Sequence, residues 1–126
     1  MVGFVIVSHS AKLAEGVVDL ARMMAKTAPM AAAGGLEDGS FGTSFEKISN
    51  AIDEVYSDDG VILLMDMGSA VMTTEMVIES MDGRTLAMAD CPVAEGAVTG
   101  SLDAEAGMTL EEILADLEQV GTLKKL

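Results

Sequence analysis

Four short apolar runs, each followed by a stretch of helical periodicity, restrict this chain more than any other feature. The first, at residues 2–8, is unbroken and rich in β-branched side chains, the pattern of a strand covered on both faces. Residues 30–33 form a shorter second run, "VILLMD" ending at Asp66 a third, and "TLAMAD" ending at Asp90 a fourth. Behind the first run, Leu13, Val17, Leu20 and Met24 recur at helical spacing and predict one buried stripe. Ser10 is its expected cap, and Lys26 is placed in its last turn before Pro29. Phe45, Ile48, Ile52 and Val55 mark a second helix, opened by a capping box at Thr43 and Glu46. Val71, Met72, Met76 and Ile78 mark a third that stops near Gly83. Cys91-Pro92 opens a fourth. A second capping box, Thr109 with Glu112, opens a last helix running to about Val120. This alternation predicts an α/β fold: a doubly wound, four-stranded parallel sheet of order 2-1-3-4 with helices on both faces. One domain is expected over residues 1–126.

Composition narrows the function. Lys and Arg total 7 against 21 Asp and Glu, a formal charge of −14. Binding to nucleic acid depends on a basic surface that displaces counterions, so it is not expected; an anionic membrane surface is disfavoured for the same reason. A partner with a basic face is the natural complement. Cys91 is the single cysteine, which excludes an internal disulfide and a cysteine-rich zinc site. The opening apolar run is too short for a signal or a membrane span, and a cytoplasmic location is expected. There are 11 methionines. Met23, Met24, Met65, Met67, Met72 and Met76 are read as adaptable core filler rather than as a soft-metal site.

His9 is the only histidine, and it stands where the first strand hands over to the first helix. In open parallel sheets ligands bind at the carboxyl ends of the strands, at the switch point of the strand order. With order 2-1-3-4 that point lies between strand 1, ending at His9, and strand 3, ending at Asp66. A carboxylate that accepts a hydrogen bond from one ring N–H sets the tautomer, and the other nitrogen becomes a neutral nucleophile. Amides at the start of the first helix and around Gly68 and Ser69 can receive an anion. Ser8, Ser10, Gly39, Thr43 and Ser44 are candidates for the surrounding rim, Thr43 equally as a plain helix cap. A lone histidine at a strand end also serves as an ordinary polar residue bonded to backbone. A serine-hydrolase reading lacks a G-x-S-x-G elbow. A metal site lacks ligand spacing, and an aspartyl-phosphate site at Asp66 lacks an acidic cluster near strand 1. Cys91 suits small-thiol packing better than nucleophilic chemistry.

The stretches "VIVSHSAKLAEGVVDLA", "GGLEDGSFGTS", "LLMDMGSAVMTTEMVIE" and "DCPVAEGA" together resemble the DhaM family, the phosphotransferase subunits of phosphoenolpyruvate-dependent dihydroxyacetone kinase. That family is related to the mannose-type enzyme IIA of the bacterial sugar phosphotransferase system. The resemblance covers residues 1 to about 107. It implies that His9 accepts a phosphoryl group from the phosphocarrier HPr, that Asp66 orients the ring, and that the group passes to ADP on the partner subunit DhaL. It also implies a homodimer, no bound cofactor beyond a transient phosphohistidine, and no metal. Within its 126 residues the chain shows no phosphocarrier-like domain, so a separate donor is expected. A mannose-type sugar-transport enzyme IIA and a non-catalytic regulatory domain are the competing readings.

Overall fold

A computed structural model describes residues 1–126. The elements run β1 (Gly3–Ser8), α1 (Ala11–Arg22), β2 (Met30–Gly34), α2 (Phe45–Val55), β3 (Val61–Met65), α3 (Ser69–Ser80), β4 (Leu86–Ala89), α4 (Val93–Glu105) and α5 (Leu110–Val120). The four strands form one parallel sheet of order β2-β1-β3-β4, as the alternation of runs requires. In register, Val5 lies beside Ala31 and Leu63, and Ser8 beside Gly34.

Side chains of a strand point alternately to its two faces, so the sheet sorts its apolar residues into two clusters. Val2, Phe4, Ile6, Ile62 and Leu64 pack against α1, α4 and α5. Val5, Val7, Ala31, Ala33, Val61 and Leu63 pack against α2 and α3. Every residue of β1 is buried, the physical reason its sequence is an unbroken apolar run.

The helices keep their predicted places but not all their predicted faces. In α1 the buried residues are Ala14, Val17, Val18 and Ala21, while Leu13, Leu20 and Met24 are exposed. Close packing explains the choice. A Cβ built on Gly34 would come 2.8 Å from the Ala14 methyl and 2.4 Å from the Ser10 carbonyl oxygen, so α1 presses on the end of β2 and only small side chains fit between. The helix ends at Arg22, short of Lys26. In α2, Ile48, Ala51, Ile52 and Val55 are buried and Phe45 is largely exposed. In α3 the inward residues are Ala70, Thr74 and Val77, and Met72 and Met76 face outward. The core-filler reading of the methionines is therefore corrected: Met23, Met24, Met67, Met72 and Met76 are between 59 % and 74 % exposed, and Met65 is only half-buried. Under α1 and α3 only alanine, valine and Thr74 are buried, which leaves Met72 and Met76 of α3 on the outside.

Two caps decide how the helices meet the site. The Ser44 hydroxyl, not Thr43, accepts the Lys47 amide at the start of α2, so the expected Thr43–Glu46 box does not form. The Thr109–Glu112 box of α5 does, with both reciprocal bonds present.

Candidate functional site

At the carboxyl ends of β1 and β3 the His9 and Asp66 side chains meet. Strand pairing brings them there: Val7 lies beside Met65, and the Asp66 amide donates to the Val7 carbonyl at 3.1 Å. The chain leaves each strand one residue later, so both side chains stand at the rim between two helix starts.

Asp66 is saturated with donors. Its Oδ2 accepts from the Ser8 hydroxyl and the His9 amide, each at 2.9 Å. Its Oδ1 accepts from the Met67 amide at 2.7 Å and lies 2.9 Å from His9 Nδ1. Burial opposes the charge on Asp66, but the His9 amide, the Ser8 hydroxyl, the His9 ring and the Met67 amide together outweigh it and hold its carboxyl below the ordinary value. An ionised carboxylate only accepts, so Nδ1 carries the proton, and in the neutral ring Nε2 carries the lone pair. That nitrogen meets the Ser69 hydroxyl at 2.8 Å, which donates to it. The His9 side chain is 29 % exposed, open enough for a reactant to reach, whereas Asp66 is 13 % exposed.

Ser69 is the first residue of α3, and the turn before it is made by Gly68 at a φ of 52°, in the region that favours glycine. The Ala70 and Val71 amides donate to the Met67 and Gly68 carbonyls, each at 3.0 Å, and the N-terminal dipole end of α3 points toward the ring. Ser10 caps α1 by accepting the Leu13 amide at 3.2 Å, and its own amide donates to Ser8 Oγ at 3.0 Å. Ser8 thus joins Asp66 to the start of α1. The Gly42 amide donates to the His9 carbonyl at 3.0 Å, tying the 34–44 loop to the rim.

Of the rim candidates, Ser8, Ser10, Gly68, Ser69 and Thr43 gather around the His9–Asp66 pair. Thr43 Oγ1 lies 3.4 Å from Ser69 Oγ and 3.0 Å from Thr73 Oγ1. Two candidates fall outside the cluster. Ser44 is engaged with its own helix and with the Glu37 carboxylate, and the Gly39 amide closes a turn onto Leu36 within the loop. Three contributors were not foreseen: Gly42, Met67 through its amide, and Thr73. Thr73 was detectable, since it follows Ser69 by four residues and so shares its helical face. Cys91 sits at the start of α4, where burial, with Asp90 and Glu95 beside it, pushes its thiol up to about 11. It is a packing thiol at neutral pH. Asp66 is the one carboxylate bonded to the ring, and no group of three or more His, Cys, Asp or Glu side chains is arranged to hold a metal ion. No helix is long and apolar enough to cross a membrane.

Residues 3–116 match the model of the family described as the PTS system fructose IIA component, EIIA-man. The chain is 43 % identical over 118 residues to the phosphotransferase subunit DhaM of the PTS-dependent dihydroxyacetone kinase of Lactococcus lactis, covering 94 % of each. It is 35 % identical to a phosphoryl donor subunit DhaM of Listeria innocua, again over 94 % of each. The DhaM of Escherichia coli is 35 % identical over 92 % of this chain, which spans only 26 % of that longer protein. A crystal structure of a protein of unknown function superposes with a TM-score of 0.88 at 28 % identity, over 99 % of this chain and 98 % of the other. The EIIA component of Streptococcus agalactiae shares the fold, with a TM-score of 0.73 at 12 % identity over 97 % of this chain and 93 % of its own.

Proposed function

This chain belongs to the EIIA-man family and, within it, to the DhaM phosphotransferase subunits of dihydroxyacetone kinase, and we propose that it relays a phosphoryl group through Nε2 of His9. The donor in this reading is the phosphohistidine of HPr, and the acceptor is ADP held by DhaL. The single observation that carries it is the line Asp66–His9–Ser69, with a proton donor to the carboxylate at one ring nitrogen and a lone pair at the other.

The steps follow from that line. Phosphorylated HPr approaches the open side of the ring. The Nε2 lone pair attacks phosphorus as the donor's P–N bond breaks, and the bonding electrons return to the donor nitrogen. The His9 ring gains positive character, and the Asp66 carboxylate, already bonded to Nδ1–H, stabilises it without a proton changing hands. The Ser69 hydroxyl turns from Nε2 to a phosphoryl oxygen, and the positive N-terminal end of the α3 dipole favours the remaining charge. In the second step a terminal phosphate oxygen of ADP attacks the same phosphorus, and Nε2 leaves with its electron pair. The N–P bond stores the group, so the chain's own residues need only hold and orient it. The exposed Met67 and Met72 beside the rim offer adaptable contact area for successive partners, and the acidic surface favours a basic docking face. A homodimer in the cytoplasm belongs to the same reading.

The test is intact mass after incubation with phosphoenolpyruvate, enzyme I and HPr. One phosphoryl adduct is expected on the wild type and none on His9→Gln. Asp66→Asn is expected to acquire it more slowly by about 10²- to 10⁴-fold, the range for losing the group that sets a catalytic histidine's tautomer. Addition of DhaL and ADP is then expected to discharge the adduct and form ATP. An adduct retained in His9→Gln would overturn the assignment, and wild-type protein that stays unmodified would leave a binding domain instead.

A further inference from the structure

The polar contacts beyond His9 have a direction, and the direction assigns a role to a residue outside the ring's own contacts. Ser69 spends its only hydroxyl proton on Nε2, so in its 3.4 Å contact with Thr43 it must accept. Thr43 therefore spends its proton on Ser69, and in the 3.0 Å contact with Thr73 it too must accept. The donors run one way: Thr73 to Thr43, Thr43 to Ser69, Ser69 to the ring. The elements that hold this line are separate. Thr43 precedes α2, while Ser69 and Thr73 lie one turn apart on α3.

Resting on the phosphoryl-relay reading above, we propose that Thr73 is a positioning residue, which acts through Thr43 to hold Ser69 Oγ in place while its proton switches from Nε2 to the incoming phosphoryl group. A hydroxyl oxygen that already accepts a bond keeps its position, and only its hydrogen swings about the Cβ–Oγ bond. The lone pair of Nε2 is thereby uncovered at the moment a phosphoryl oxygen is present to take the Ser69 hydrogen bond. No proton is transferred; one hydrogen bond is exchanged for another. The Thr43–Ser69 separation is long for a hydroxyl pair, and it shortens as Ser69 bonds an anion and its oxygen becomes the better acceptor. Thr73 is half-buried and makes no other side-chain hydrogen bond, so its hydroxyl has no competing structural task.

The experiment compares Thr73→Val, which keeps the shape and removes the hydroxyl, with Thr73→Ser, which keeps the hydroxyl, in the full chain. Thr73→Val is expected to lower kcat for phosphoryl acceptance from phosphorylated HPr by about three- to tenfold, with KM changed less than about twofold, the size of one hydrogen bond. Thr73→Ser is expected to stay within about twofold of wild type. The double variant Thr43→Val with Thr73→Val is expected to be no slower than Thr43→Val alone, because the two act in series. The second readout is the ¹⁵N spectrum of the unphosphorylated protein, in which His9 supplies the only imidazole. Thr73→Val is expected to move the Nε2 resonance toward that of an unbonded ring nitrogen, and Thr73→Ser is not. An unchanged rate and resonance in Thr73→Val, a Thr73→Ser as slow as Thr73→Val, or additive losses in the double variant would each overturn the proposal. Wild-type protein that HPr fails to phosphorylate would refute the relay itself, and the Nε2 resonance alone would then decide whether Thr73 orders Ser69.

Discussion

On one face of the sheet α1, α4 and α5 bury a cluster of 17 residues; on the other, α2 and α3 bury 12. The groups that meet His9 Nε2 and its hydroxyl chain come from the smaller layer, as Ser69 and Thr73 on α3 and Thr43 before α2. The larger layer keeps its helices packed by Ile113, Leu117 and Val120 and carries no residue of that chain. In the smaller layer α2 contributes Ile48 and Ile52, whereas α3 buries only Ala70, Thr74 and Val77 and turns Met72 and Met76 outward. α2 anchors this layer with large side chains, while α3 buries only small ones and carries Ser69 and Thr73. A helix freed from anchoring a large core can present a polar first turn to a reactant.

Substitutions in the two layers are expected to separate stability from activity. The largest effect is on the thick side. Leu117→Ala is expected to cost about 2–5 kcal/mol of stability in urea unfolding, since Leu117 is fully buried, while protein that remains folded accepts phosphate at the wild-type rate. Ser69→Ala is the counterpart on the thin side. It is expected to slow phosphoryl acceptance about 10²-fold, the low end for removing one donor to a developing oxyanion, and to move the unfolding midpoint hardly at all. The comparison breaks if Ser69→Ala proves mainly destabilising.

A smaller effect distinguishes the layers by pH. Asp103 on α4 has its Oδ2 buried without a donor, and burial, then the Asp116 carboxylate of α5, raises its carboxyl to about 7 from an ordinary 3.8. The folded protein therefore holds this proton more tightly than the unfolded chain. The stability it contributes is complete below about pH 4 and is lost as pH rises to about 7. After solvent screening the loss is about 1 kcal/mol. Asp103→Asn is expected to remove that slope in unfolding measured from pH 4 to pH 8. Asp66 has the opposite sign: its carboxyl is held low, so the stability it contributes is present at neutral pH and lost in acid. The smallest effect is expected from Met72→Ser and Met76→Ser, each within about 0.5 kcal/mol of wild type, because both side chains are exposed. A loss of several kcal/mol there would restore them to the core.

The sheet was legible because its strands are short and apolar, β1 rich in β-branched residues as well, and because parallel pairing leaves few arrangements for four such runs. The His9–Asp66 contact was legible for the same reason, since strand order alone brings the ends of β1 and β3 together. The buried faces of α1 and α3 were not. Both helices are apolar on more than one side, and hydrophobic spacing does not reveal that Gly34 brings a backbone so close that Ala14 must face it and Leu13 must not. Ser44 displaced Thr43 as cap because either hydroxyl satisfies the same amides; only the tertiary contact with Ser69 and Thr73 engages Thr43 elsewhere. Spacing from Ser69 shows only that Thr73 shares its helical face; the hydroxyl it meets, Thr43, is brought there by the tertiary fold.

The account stands on Nε2 of His9 as the atom that carries phosphate. Long-range ¹H–¹⁵N NMR of the phosphorylated protein, with its one imidazole, reads this directly. The prediction is phosphorus coupling at Nε2 with the Nδ1 proton retained opposite Asp66. Phosphate at Nδ1, or on any residue other than His9, would contradict it.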